Sequence, residues 1–265
     1  MVWLRVKLIL VARKISKSGI LGHIPRQILE AYYRLRSAIY SGSTYDCPCC
    51  ARSFRSFIRS GKNDKCPRCN SYQRHRLLAL FLQNKTDIFS DGLKILHVAP
   101  EYGLQSLLKS FHGPNYTSID IDAPLAELKM DVSDLQFEDN SFDAVLCYHV
   151  LEKVPDDRKA IAEFFRVLKP SGWGIIQVPL EPDLPVTLED GTVDSFEARE
   201  KLYGEWDDVR LYGRDYYQRL EEAGFELRIS NYCAELDNET IEKKVLRKAN
   251  GRMPAEICYV VKPKI

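Results

Sequence analysis

At 265 residues, with 45% apolar and 28% charged residues, the chain has an ordinary globular composition and room for one large α/β domain plus a small module. It contains no internal repeat and no low-complexity tract, which excludes a solenoid or a biased-composition protein. The net charge of +1 hides an asymmetry: residues 1–86 carry 17 Lys and Arg against 3 Asp and Glu, the remainder 21 against 34. A basic front half could meet nucleic acid, anionic lipid, a phosphorylated substrate, or the acidic back half itself.

The chain starts MVWLRVKLILVARK, an apolar stretch broken by Arg5 and Lys7. It lacks a signal-peptide cleavage site and falls short of the roughly 20 apolar residues of a spanning helix, so no transmembrane segment is expected and the chain reads as cytoplasmic. As a basic amphipathic helix this stretch would pack on the body of the protein or touch a membrane surface peripherally. Pro25, then Ile28, Leu29, Tyr32, Leu35 and Ile39 at helical spacing, and Gly42 beyond them, predict a helix. A basic helical segment is thus assigned to residues 1–44.

Cys47, Cys50, Cys66 and Cys69 follow as C-x2-C-x15-C-x2-C. Two tight pairs let four thiolates converge on one Zn²⁺, and with every ligand place filled by sulfur the metal is structural rather than catalytic. Between the pairs RSFRSFIRS alternates as a zinc-ribbon hairpin would, and RHRLLALFLQ reads as a helix leading out, giving a ribbon module over 45–86. Ala51 stands where such a turn often has glycine, whereas Asn70 at the matching place tolerates positive φ. Cys49 reads as a bystander. Cys147, Cys233 and Cys258 fall in strand-like runs and read as small buried apolar residues.

From Leu93 to the end, strand-like runs alternate with helical ones, predicting a doubly wound, mostly parallel sheet over 87–265. The strands are LKILHVA, YTSIDI, ELKMDV, FDAVLCYHV, GWGIIQVP, FELRISNY and EICYVVK. LQSLLKS, DDRKAIAEFFRVLK and GRDYYQRLEEAG are helices, and the second places Ile161, Phe164, Phe165 and Leu168 on one face. The polar stretch 180–210 is too long for a plain connection. Loops of that kind carry function.

The turn after the first of these strands, His97-Val98-Ala99-Pro100-Glu101-Tyr102-Gly103, sits where a nucleotide-binding domain has a glycine cluster. Beyond it Asp120 ends the second strand, a carboxylate suited to the two hydroxyls of a ribose. The run KMDVSDLQFEDNSFDAVLCYHVLEKVPDDRKAIAEFFRVLKPSGWGIIQVP then resembles the class I S-adenosylmethionine-dependent methyltransferases, the type 11 methyltransferase domain in particular. The resemblance implies a Rossmann-like seven-stranded fold and S-adenosylmethionine as cofactor. It places Asp131 and Val132 near the adenine, and Ala99, Glu101, Gly103, Asp120 and Tyr148 around the remainder.

The family pattern at the first turn is an acidic residue followed by G-x-G-x-G. Here His97 takes the acidic place, Ala99 and Glu101 replace two glycines, and Gly103 keeps the third. Glu101 is expected to supply the missing carboxylate. A subset of the family is similar over more of the chain, with C-P-x-C, then R-H-R-L-L, then H-x-A-P-E, matched by Cys66–Cys69, Arg74–Leu78 and Ala99–Glu101.

The resemblance makes His149 the candidate general base and YGEWDDVRLYGRDYY a lid over the acceptor, with Asp207 and Arg210 in family-like positions. Two family histidines are absent: Lys153 and Asp208 stand in their places. His75 belongs either to the acceptor site or to the interface between ribbon and sheet. The expected activity is methyl transfer to a small-molecule or saccharide-like acceptor. The alternatives are an RNA methyltransferase docking through the basic ribbon, or a non-catalytic adaptor whose methyltransferase fold has lost its cofactor.

Overall fold

A computed structural model describes residues 26–122, 125–247 and 256–264. The basic stretch 1–25, with Pro25, lies outside them. Helix α1 (Arg26–Ile39) is where the periodicity put it, but it faces a different way. It buries Leu29, Tyr33 and Ser37, leaving Ile28, Leu35 and Ile39 at 60%, 57% and 41% exposure. The face is chosen by specific contacts. Tyr33 meets the edge of Tyr102 at 5.1 Å, and Arg36 donates to the carbonyls of Pro67 at 2.6 Å and Cys66 at 3.1 Å.

The cysteine module is two small hairpins rather than the single one expected. Strand β1 (Ser41–Cys47) pairs antiparallel with β2 (Arg52–Phe54), and β3 (Ile58–Ser60) with β4 (Asn63–Lys65). RSFRSFIRS thus supplies one strand to each hairpin. Helix α2 (Gln73–Lys85) leaves the module and is buried along most of its length.

The expected strands then appear in order. They are β5 (Ile95–Val98), β6 (Tyr116–Asp120), β7 (Leu128–Lys129), β8 (Phe142–Tyr148), β9 (Leu168–Gln177), β10 (Glu226–Ser230) and β11 (Ile257–Val261). They form one seven-stranded sheet in the order β10-β11-β9-β8-β5-β6-β7. The five strands from β9 to β7 run parallel, and β11 is antiparallel to both its neighbours. Counted along the chain within the sheet, the order is 3-2-1-4-5-7-6 with an antiparallel seventh strand. This is a Rossmann-like, doubly wound architecture, and the strand order reverses between β5 and β8, where such sheets bind ligands.

Side chains alternate along β8. Ala144, Leu146 and Tyr148 join a core that includes the cysteine module and α2, while Val145 and Cys147 enter the core under the opposite helices. The module therefore shares one apolar core with a sheet face. That face includes Ile95, Trp173, Ile175 and Ile257. The other face is covered by helix α4 (Asp157–Val167), through Ala160, Ile161, Phe164 and Val167, and by α6 (Tyr216–Glu222). Helix α3 (Tyr102–His112) follows β5 and buries Leu104, Leu108 and His112. The stretch 180–210 holds a short helix, α5 (Phe196–Tyr203), and α7 (Asn238–Lys243) lies near the end; neither was read from the sequence.

Ion pairs join the two halves in both senses of charge. Among the described residues, Lys85–Glu235 at 2.6 Å is the Lys or Arg ion pair joining a base of the front half to an acid of the back half. Asp46 of the module instead meets Lys243 and Lys244 of the acidic half.

Candidate cofactor and metal sites

The four cysteines of the two C-x2-C pairs bring their sulfurs within 4.8 Å of one another. Cys47 and Cys69 sulfurs are 3.6 Å apart, Cys50 and Cys66 sulfurs 3.7 Å. A tetrahedron with metal–sulfur bonds of about 2.3 Å has edges of about 3.8 Å, so the donor set fits one tetrahedral divalent metal. Outer groups support it: the Ser71 hydroxyl lies 3.3 Å from Cys47 and Cys69 sulfurs, and the Arg68 N–H donates to Cys66 sulfur. Ala51 (φ 50°) and Asn70 (φ 61°) leave the two pairs in the left-handed region. Cys49 stands apart, its thiol directed at the His75 carbonyl at 3.4 Å.

Arg76 ties this module to the rest. Its side chain is fully buried and has no carboxylate partner among the described residues. It donates to the carbonyls of Asp64, Ser71, Lys244 and Val245, with the Phe57 ring 4.6 Å away.

The turn at the C-terminal end of β5 is built without its glycines. Ala99 adopts φ 47°, a left-handed conformation that its single methyl tolerates, and Pro100 fixes the approach to α3. Glu101 is the N-cap of α3, and its carboxylate is only 17% exposed. His97 Nε2 lies 3.2 Å from Glu101 Oε2, and His75 Nε2 lies 3.7 Å from Oε1.

Donor and acceptor logic assigns the tautomers. Nδ1 of His75 accepts the Tyr72 backbone N–H, so the neutral ring carries its proton on Nε2, toward Glu101. A carboxylate only accepts, so His97 Nε2 donates to Glu101, and its other ring nitrogen, Nδ1, is hydrogen-bonded with the Tyr116 hydroxyl at 2.8 Å. Burial opposes the Glu101 charge, yet His75 and His97 hold its carboxyl down at about 2. Burial depresses His75 to about 3, outweighing the attraction of Glu101. At neutral pH Glu101 is thus an anion beside an uncharged His75 ring, with His97 Nε2 as its hydrogen-bond donor.

Gly103, the glycine the turn keeps, lies against the metal module. A Cβ there would come within 3.0 Å of Cys69 sulfur and 3.3 Å of the Cys49 Cβ. Its missing side chain is required by the metal module beneath it.

The remaining expected residues fall at the carboxyl ends of the sheet strands. Asp120 closes β6 and accepts the Asp122 N–H at 2.9 Å. Asp131, two residues past β7, is exposed and accepts the Ser133 N–H and hydroxyl, each at 2.8 Å, while Val132 is in the core. Tyr148 ends β8, buried between His75 and His149, with ring centroids at 6.3 and 4.9 Å. His149 is held at φ 59° with its ring 27% exposed. Behind it lies Glu152, which the sequence did not single out. Its Oε1 is 3.6 Å from His149 Nδ1, and its buried Oε2 has no hydrogen-bond partner in the structure.

The stretch 180–210 is fastened down. Lys153 bridges Asp207 at 2.6 Å and Asp208 at 2.8 Å. Arg210 is buried and donates to the carbonyls of Leu151, Val154 and Pro155 and to Glu189, so its observed role is bracing. Asp157 adds a buried node, accepting from Arg219 at 2.9 Å and the Tyr212 hydroxyl at 2.6 Å.

Residues 98–176 match a family model described as a methyltransferase domain. Demethylmenaquinone methyltransferase of Staphylococcus aureus (strain JH9) is 46% identical over 56 residues, 21% of this chain and 23% of that protein. The match spans less than a quarter of the length of these curated relatives. Phosphoethanolamine N-methyltransferase 2 of Haemonchus contortus, solved with S-adenosyl-L-methionine, is 15% identical, covering 72% of this chain and 53% of its own, with a TM-score of 0.47. An S-adenosylmethionine-dependent methyltransferase of Mesorhizobium loti is 14% identical, covering 65% and 92%, with a TM-score of 0.44.

Proposed function

We propose that this protein transfers a methyl group from S-adenosylmethionine to a small-molecule acceptor, and that its four paired cysteines hold a structural Zn²⁺. One observation carries the reading: Glu101 is an ionised, largely buried carboxylate at the turn after β5 that meets the imidazoles of His75 and His97 and no Lys or Arg within ion-pair distance among the described residues. An anion so placed calls for a cation, and the ammonium of the methionine moiety is one. Asp120, at the end of β6, suits the ribose hydroxyls, and Asp131 with Val132 the adenine end. The cofactor would supply an activated methyl on a sulfonium. The residues of the chain would bind it, orient it and exclude water.

His149 stands beside Tyr148 with its ring partly open and a carboxylate behind it, the arrangement of a base for a hydroxyl acceptor. The lid 203–217, braced by Arg210, would cover that acceptor. Calorimetry with S-adenosylmethionine tests the reading. Wild type should bind, and Glu101→Gln and Asp120→Ala should each bind about tenfold or more weakly. A folded, metal-loaded wild type without measurable binding would refute it and favour the adaptor. For the metal, Cys66→Ser should lower zinc content and stability together; an undiminished zinc content would reject the ligand set.

A second reading has RNA as acceptor. Arg52, Arg55 and Arg59 of the module are exposed, and none pairs with the acidic half within ion-pair distance. RNA binding that weakens steeply with salt would favour it.

A further inference from the structure

We infer that His75, delivered by the helix that leaves the metal module, is the positioning residue for the cofactor-facing carboxylate of Glu101. The inference rests on the cofactor reading above and adds a residue from outside the methyltransferase domain to its binding site.

Glu101 is held from two sides. His97 belongs to the same strand–turn–helix unit, and its imidazole is locked by Tyr116 on the neighbouring strand. His75 comes from α2, and four contacts fix it. The Tyr72 N–H donates to its Nδ1, the Tyr72 and Tyr148 rings stand edge-on to it at 5.6 and 6.3 Å, and the Cys49 thiol is directed at its backbone carbonyl. The ring cannot swing away without losing the first three. Its remaining nitrogen has one acceptor ahead of it, Glu101 Oε1.

Oε2 takes the His97 hydrogen bond, whereas Oε1 faces the His75 N–H at 3.7 Å, beyond hydrogen-bond length, so His75 acts on the carboxylate as a fixed dipole and as the wall beside it. Without His75, Oε1 would lose the N–H that faces it, and the carboxylate would turn between His97 and solvent. Loop residues in this fold normally need glycines so that the backbone can approach the ligand. Here a side chain must do the binding, so its orientation has to be imposed from outside the loop.

The imposing element is seated on the loop directly. Gly103, two residues past Glu101, lies in contact with Cys69 and Cys49, and Arg76, next to His75, anchors α2 to both the module and the C-terminal segment. The metal module thus serves as the outer wall of the cofactor turn. Cofactor affinity should therefore follow the integrity of that module, although no metal ligand faces the cofactor.

The test compares variants of the zinc-loaded full chain by calorimetry with S-adenosylmethionine. His75→Gln places an amide N–H near the Nε2 position, whereas His75→Asn keeps a polar group only near Nδ1. The expected result is binding within about threefold of wild type for His75→Gln and about tenfold weaker for His75→Asn, with zinc content unchanged in both. Equal affinities for wild type and His75→Asn overturn the inference. So do equal losses in both variants, which would mean ring packing rather than the donor matters. If wild type itself fails to bind, the cofactor reading fails, and the positioning contact is still decided by histidine ¹⁵N shifts of the free protein. A proton on His75 Nε2 supports the contact; a proton on Nδ1 overturns it.

Discussion

The buried His75 makes this protein acid-sensitive in a window where few other groups titrate. Its folded-state value is about 3, against 6.5 for a free histidine, because burial penalises the charged ring more than Glu101 attracts it. The sign follows from proton counting. Below pH 6.5 the unfolded chain binds a proton at this site that the folded chain refuses until near pH 3, so stability is full above 6.5 and falls as the pH drops. Between pH 7 and pH 5 the loss is about 2 kcal/mol, at up to 1.36 kcal/mol per pH unit. Glu101 does not contribute in that interval. Its stabilisation is present above 4.5 and is lost only as the pH falls toward about 2.

The groups acting on His75 are Glu101, Arg74, His149 and Arg76, and none of the arginines or the glutamate changes charge between pH 5 and 7. The measurement is urea unfolding of zinc-loaded wild type and His75→Gln at both pH values. Wild type should lose about 2 kcal/mol more than the variant on acidification. Acid weakening of the metal site enters both proteins alike and cancels in the difference. Identical pH dependence in the two proteins would show that His75 titrates like a free ring, and the assigned hydrogen-bond network would fall with it.

Two further outcomes are expected. Replacing Arg76 by Met leaves four buried carbonyls without their donor and should cost about 4 kcal/mol in urea unfolding, while Lys, a point donor unable to span two segments, recovers only part. A loss below about 1 kcal/mol in Arg76→Met would contradict this account. Ala51→Gly should raise the thermal midpoint, because Ala51 sits at φ 50° where a Cβ costs roughly 1 kcal/mol; a lowered midpoint would mean that glycine's extra freedom in the unfolded chain outweighs the relief.

The sheet was legible because its strands are short apolar runs with clear boundaries. FDAVLCYHV alternates faces, and Asp156 caps the helix after it by accepting the Lys159 N–H at 2.9 Å. The metal ligands were legible too, since covalent spacing alone brings paired cysteines together. What local pattern could not carry was direction. The stripe Ile28, Leu35, Ile39 is a sound helical period, but Tyr33 and Arg36 found better partners in Tyr102 and the Cys66–Pro67 carbonyls, and the helix turned to meet them. Gly103 likewise follows a pattern whose cause is non-local, a sulfur from a residue 34 positions earlier. His75, Arg76 and Glu152 carry no local signal of their roles. Their partners lie on other elements, and only the tertiary structure brings them within reach.

The departures from the family pattern also bear on whether the domain still works. A domain released from its function collects changes independently, one site at a time. Here they come in contacting, chemically reciprocal pairs. His97 stands where the pattern has an acid and Glu101 where it has a glycine, and the two meet at 3.2 Å, so a carboxylate remains at the turn although the chain position supplying it has moved. Lys153 and Asp208 stand where the pattern has histidines, and they meet at 2.8 Å, so here the lid is fastened by charge. Neither half of that pair would be tolerated well alone: Asp208 is buried, and without the Lys153 ammonium it would be a buried carboxylate lacking its cation. Lys153→Met alone should therefore loosen the lid, and Lys153→His with Asp208→His should restore more of its stability than either single change. A strictly additive double mutant, read by hydrogen exchange over 203–217, would show that the pairing is incidental and remove this argument for a working site.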